Sequence, residues 1–396
     1  MDLFFSKIIE KIKGNTAIGR VYTADILLSF HYYLLIYINS SFLSKFFSPQ
    51  QVSVLYIIGS VFTLIILINI SKILEAIGNY RLIRYLIITE IVATVGLSFS
   101  VSHTLIGLYF IAYLISIPTL YFCFDLLLED TTEDESKTGE IRTLYLTLGN
   151  ITIILATLLV AWVLTDGDYY KIYLLSLIFL VPLYFLVKKY FSHFTDGVPS
   201  HINIRGIIKT YLKNTDIYNV SNAHLFLQIF YAYMVVYMPI YLSQYIGMSW
   251  AEIGLIFTIM LLPFIFVEIP AGFLADKKWG EKEMMTIGFV IIGIFTLCIP
   301  FITGNNFFLW AGVLFMTRIG AALVEAMTDS YFFKRVNKND TDTISFYRMS
   351  NPASYIIAPI VATLSLTFLS YHNIFIVLGI IMVLGCHYSL SLQDTK

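Results

Sequence analysis

A handful of charged residues in this chain sit inside long apolar stretches, and they are the residues able to do chemistry. Arg318 is the deepest, near the middle of the stretch 306–328, and Glu325 follows seven residues on, on the same face if that stretch is helical. Glu268 stands towards the end of the stretch 251–274, and Arg348 at the start of 345–369. Asp25 lies early in 21–44, with His31 further in. A charge at the centre of a lipid-embedded helix costs at least about 2.5–3.5 kcal/mol, so such residues face a cavity or a partner. A carboxylate near an arginine in a cavity of changing access can take up and release a proton. The sequence therefore predicts a polar cluster of Arg318, Glu268 and Glu325, with Arg348 close to Glu325, suited to proton coupling. A static ion-pair network that glues helices is the alternative.

Asp25, about one turn inside its stretch, can snorkel to the nearer interface. His31 can relay a proton, hydrogen-bond a solute, or simply pack among Tyr32 and Tyr33. Glu90 reads as an interhelical residue, and Asp125 and Glu129 as counter-charges to Arg142. In the stretch 223–245, Gln228, Tyr231 and Tyr237 are pocket candidates, because aromatic rings with a polar tip suit apolar or sugar-like molecules. The chain has 28 tyrosines, however, and interfacial belts use many of them. Pro239 and Pro352 are placed to bend their helices.

The elements holding these residues follow from hydropathy. With 58% hydrophobic residues, 13% charged and a mean hydropathy of +0.78, a water-soluble domain is excluded. Apolar stretches at 21–44, 51–71, 82–102, 104–128, 143–164, 170–187, 223–245, 251–274, 284–303, 306–328, 345–369 and 371–390 are each close to the roughly 20 residues that span a bilayer. Every lysine and arginine except Lys45, Lys171, Arg318 and Arg348 then falls on one side. By the positive-inside bias that side is cytoplasmic, both termini lie on it, and the chain is a multi-pass protein of the cell membrane. The net charge of -1 argues against a nucleic-acid partner. Cys123, Cys298 and Cys386 lie in apolar spans, so no disulfide framework is indicated. No zinc-ligand spacing occurs, and no metal or other cofactor is expected.

Residues 1–20, with Leu3, Phe4, Ile8, Ile9 and Ile12 between lysines, read as an amphipathic cytoplasmic helix on the inner leaflet rather than a signal peptide. The polar stretch 189–222 divides six spans over 21–188 from six over 223–390, and 391–396 form a cytoplasmic tail. The two halves repeat. FSPQQVSVLY at 47–56 matches MSWAEIGLIF at 248–257; Asp125 and Glu129 match Glu325 and Asp329; LYLTLGN at 144–150 matches FYRMSNP at 346–352. Three matches at nearly one offset, in equivalent places, point to a duplicated bundle of the kind from which transporters with a midplane site are built.

At the loop after the eighth span the sequence reads EIPAGFLADKKWGEK. It resembles the loop signature of the major facilitator superfamily, with Gly272, Asp276, Lys277, Gly280 and Lys282 in the family's Gly, acidic, basic, Gly and basic places and one extra residue before Gly280. In the N-terminal counterpart, SKILEAIGNYR, Glu75, Gly78 and Arg81 are retained, whereas Ser71 and Ala76 replace the first glycine and the basic residue. The resemblance implies an all-α membrane protein of twelve transmembrane helices in two pseudo-symmetric six-helix bundles, with the tenth span lining a central cavity. It also makes Asp25, in the first span, a candidate for proton coupling. The loop residues then serve as a gating latch, the acid meeting the positive end of a neighbouring helix and Gly272 letting helices approach closely.

The function expected is secondary transport of a small solute by alternating access, proton-coupled, with efflux of amphipathic compounds favoured by the aromatic, sparsely charged lining. Uptake of a sugar or organic acid, with Arg318 as anion partner, is the runner-up. No phosphate-binding glycine loop suggests an ATP motor. A membrane-embedded enzyme on lipid-linked sugars is a different class, but the short outer loops leave nothing to cover a catalytic site, and a non-transporting sensor lacks a soluble domain. The expected partners are the solute, protons and the lipid bilayer, and the chain is expected to be a monomer.

Overall fold

The computed structural model describes residues 17–130, 138–165, 167–192, 211, 214–275, 279–336 and 341–393. The amphipathic segment expected at the N-terminus and most of the linker lie outside these residues. Every regular element among them is helical. Twelve principal helices follow one another: α1 (Ala17–Ile36), α2 (Pro49–Ile68), α3 (Asn79–Phe99), α4 (His103–Asp130), α5 (Thr138–Val163), α6 (Tyr169–Tyr190), α7 (Thr215–Ile240), α8 (Trp250–Leu261, continued by Pro263–Phe266 and Glu268–Leu274), α9 (Glu281–Cys298), α10 (Phe307–Arg335), α11 (Ser350–Leu366) and α12 (Ile374–Leu390).

Among the described residues, nine helices are long and apolar enough to cross a membrane. The other three are α1, which carries Asp25 and His31, and the shorter apolar stretches Thr147–Val163 of α5 and Ser350–Leu366 of α11; all three helices contribute residues to the central cavity. The lipid-facing surface is apolar, with exposed Phe62, Val92, Phe185, Ile294 and Leu384. By contrast α7 is buried on nearly all sides.

Local chemistry repeats between the halves as the sequence anticipates. Ser48 and Gln51 form a capping box at the start of α2, and Ser249 and Glu252 form the same box at the start of α8. Each box satisfies orphan amides at a helix start where the chain turns back towards lipid. Gly78 and Gly280, immediately before α3 and α9, share an unusual backbone conformation, with φ of 79° and 81°. Only glycine adopts it freely, which accounts for a glycine in both copies.

α7 begins at Thr215, earlier than hydropathy puts its span. Its first turn is polar yet packed: Asn214 caps it, the Gln393 amide donates to Asp216 at 3.1 Å, and Asn219 donates to the Ser391 carbonyl at 3.2 Å. Within the C-terminal half, α9 and α10 approach closely at Gly288 and Gly320, where an added Cβ on either would lie 2.7 or 2.6 Å from the other's carbonyl oxygen. Gly272 does not have the packing role expected of it. A Cβ there meets nothing within 4 Å, although the segment Glu268–Leu274 itself packs against α10.

The halves meet through two helix pairs, α2 against α11 and α5 against α8. Gly254 of α8 lies against Ala161 of α5, and an added Cβ would come within 2.6 Å of the Ala161 Cβ. The Tyr56 and Tyr355 rings stack across the other pair, 6.0 Å apart.

Candidate functional site

Between the halves lies a cavity of about 420 Å³, lined from α1 by Asp25, Ser29, Tyr32 and Tyr33, from α4 by Tyr121 and Asp125, from α5 by Tyr145 and Asn150, from α10 by Glu325, from the short helix Thr341–Arg348 by Arg348 and from α11 by Asn351. A smaller space of about 50 Å³ continues beyond Tyr32 among Tyr56, Tyr113 and Tyr355. The dimensions suit a small organic solute.

Away from the basic loops, the halves are sealed by neutral contacts. The Ser53 and Tyr237 hydroxyls meet at 2.7 Å, the Thr157 and Thr258 hydroxyls at 3.1 Å, and Gln244 donates to Ser44 at 2.5 Å. Tyr37 packs on Phe257, and Tyr169 on Trp250. At the basic-loop end the halves are tied differently, by an ion pair between Arg348 and Asp125 at 2.5 Å. The ion pair of Arg348 is thus with Asp125, and Glu325 lines the same cavity. The side chains of Arg142 and Glu129 lie outside the described residues.

Glu325 accepts a hydrogen bond from the Tyr231 hydroxyl at 2.6 Å. The Arg318 guanidinium lies over the same ring, 5.5 Å from its centre, and 5.0 Å from that of Phe230. It is almost fully buried, and its Nε and Nη1 have no hydrogen-bond partner. Arg318, Tyr231 and Glu325 are therefore one unit, with Tyr231 between charge and counter-charge, and only Glu325 of the three lines the cavity. Glu268 was expected in the same cluster; its backbone opens the last segment of α8, and its side chain lies outside the described residues.

Other sequence candidates separate from the cavity. His31 does not line it: its Nε2 is 2.9 Å from Glu90 Oε1 on α3, with both side chains fully buried, so the pair joins α1 to α3 behind the cavity wall. Gln228 accepts from Asn351 at 2.9 Å and contacts His224, orienting a lining residue without lining the cavity itself. Tyr237 belongs to the seal with Ser53 rather than to the pocket. Of the loop residues, Glu75 lies on a short helix before Gly78, Arg81 is exposed and Lys282 half-buried. Asp276 and Lys277 lie outside the described residues. The charge contact seen beside Gly280 is made by Glu281, a buried residue at the start of α9 that pairs with Lys334 of α10.

Tyr33, Tyr121, Tyr145 and Asp125 are site residues that sequence reasoning passed over. A signal for Asp125 existed: it is the repeat mate of Glu325, so once Glu325 is assigned to the cavity its counterpart belongs there too.

Residues 220–393 match the Major Facilitator Superfamily. In fold, the chain is similar to the crystal structure of the nucleoside transporter NupG, with a TM-score of 0.71 at 11% identity, covering 95% of this chain and 99% of that one. It is equally similar to a structure described as giving insight into substrate recognition in proton-dependent oligopeptide transporters, with a TM-score of 0.71 at 11% identity and coverage of 94% and 97%. No curated protein matches the sequence. The chain thus has the fold of the transporter structures it resembles, two helical bundles with a cavity between them, and its C-terminal half matches the Major Facilitator Superfamily.

Proposed function

We propose that this protein moves a small solute across the cell membrane by alternating access, coupled to protons, and that it exports amphipathic compounds. The observation carrying the reading is a cavity that holds the ionisable residues Asp25 and Glu325 while its two ends are tied by different sets of breakable contacts. Rocking of the halves exchanges one set for the other, so that the same acids face alternate sides. Glu325 is placed to carry the coupled proton: on protonation it can no longer answer the Arg318 charge through Tyr231. The positive-inside bias of the basic loops supports a cytoplasmic location for both termini. The segments around Gly78 and Gly280, with Glu75, Arg81, Lys282 and the Glu281–Lys334 pair, act as the latch on that side. The protein works as a monomer surrounded by lipid.

Uptake of an organic acid on Arg318 is the weaker reading, since the guanidinium lies behind Tyr231 rather than on the cavity wall. The deciding experiment is purified protein in liposomes, with a trapped pH dye reporting proton movement on addition of each member of a solute panel. Solute-driven flux that disappears in Glu325→Gln supports the coupling. Flux of the same solute with no proton movement rejects it.

A further inference from the structure

The residues lining the cavity include three acids, Asp25, Asp125 and Glu325, against one base, Arg348. Arg348 is committed to Asp125 at 2.5 Å. Glu325 is held by Tyr231, whose ring carries the Arg318 charge on its face. Asp25 is the acid left over. It is 2% exposed, no cation among the described residues forms an ion pair with it, and its Oδ1 has no hydrogen-bond partner. A carboxylate withdrawn from water and lacking a counter-charge is costly unless something positive joins it.

The surroundings favour one kind of positive partner. Tyr32 and Tyr33 on α1, Tyr121 on α4 and Tyr145 on α5 share the wall with Asp25. Ring faces attract cations and cover flat apolar bodies, whereas a metal ion or a small hydrated cation would want several oxygen ligands. The groups facing Asp25 are of mixed kind, and the cation among them, Arg348, is already paired with Asp125. Tyr145 lies beside Asp25, Asp125 is the neighbouring charge and is negative, and Glu325 and Arg348 stand further round the same cavity.

We propose that the transported solute is an organic cation, an ammonium or similar centre on an aromatic body, with its charge at the Asp25 carboxylate and its apolar part among Tyr32, Tyr33 and Tyr121. This deepens the transport reading above and rests on it. One carboxylate then serves two competitors: a proton on Asp25 expels the cation, and the cation excludes the proton. This competition at Asp25 acts beside the proton carried by Glu325.

Tetraphenylphosphonium and tetraphenylborate, nearly identical in shape and opposite in charge, separate this reading from simple hydrophobic binding. Equilibrium dialysis against the purified full-length protein in detergent is expected to show binding of the phosphonium and not of the borate. Affinity should fall on acidification and drop by about tenfold or more in Asp25→Asn. Asp25→Glu should keep the affinity, and Tyr121→Leu should lower it. Equal binding of the borate overturns the proposal. So does unchanged phosphonium affinity in a folded Asp25→Asn protein, or in Tyr121→Leu should the Asn variant not fold. The liposome assay is read separately. Proton flux driven only by neutral or anionic solutes sinks the cation site and leaves the transporter standing; phosphonium binding without flux of any solute does the reverse.

Discussion

The Tyr237 and Ser53 hydroxyls meet at 2.7 Å, and the contact ties α7 of one half to α2 of the other where the cavity is closed. Removing it should loosen that end without disturbing either bundle. In Tyr237→Phe, the loss of about 1 kcal/mol shifts the conformational equilibrium about fivefold towards opening on this side. The measurement is the rate at which an impermeant thiol reagent labels a cysteine placed at Ser44, in a background with Cys123, Cys298 and Cys386 replaced. An unchanged rate would remove Tyr237 from the seal.

The Asp125–Arg348 pair makes the opposite prediction. Both side chains are about a third exposed, so the pair contributes only about 0.2–1 kcal/mol. Asp125→Asn should raise labelling from the basic-loop side by no more than about fivefold. The reversed pair, Asp125→Arg with Arg348→Asp, should bring the rate back towards that of the parent. A double variant no better than the singles would show that the two residues do not act on each other.

Two glycines separate motion from folding. Gly254 lies against Ala161 across the halves, and Gly288 against Gly320 within one half. Gly254→Ala should prevent full closure at the sealed end, slowing transport while leaving the melting temperature nearly unchanged. Gly288→Ala forces α9 from α10 and should cost about 1–3 kcal/mol of stability. Thermal melting by intrinsic fluorescence, set beside flux in the same liposomes, distinguishes them.

His31 and Glu90 are fully buried and bonded at 2.9 Å away from the cavity. Truncating Glu90→Ala leaves the buried histidine nitrogen without its partner and should destabilise the fold by about 1–3 kcal/mol. Glu90→Gln preserves a hydrogen bond to His31 and should retain flux per folded molecule. Loss of proton coupling in Glu90→Gln, at normal melting temperature, would move the pair from architecture into the mechanism.

The fold was legible in the sequence because lipid imposes a simple code: apolar length gives the spans, and the basic loops give their alternation. Repeats were legible where a residue type is dictated by backbone or cap, as at Gly78 and Gly280 or Ser48 and Ser249. The site was harder to read. Depth along a helix can be counted, but a helix face cannot be fixed when apolar residues surround it on every side, as on α7. That is why Tyr237 was read as pocket and proves to be seal, and why His31 turns to α3 and not to the cavity. Ion pairs between halves were least accessible of all. Asp125 and Arg348 are 223 positions apart, and nothing along the chain announces that they meet.

The two ends of the cavity differ in kind. One is closed by hydroxyls, an amide and packed rings, the other by opposite formal charges that water can reach. Dissolved ions weaken the attraction within a partly exposed ion pair but leave neutral contacts almost untouched. Salt on the basic-loop side therefore weakens one closure alone, giving the resting distribution of this protein a dependence on the electrolyte of a single compartment.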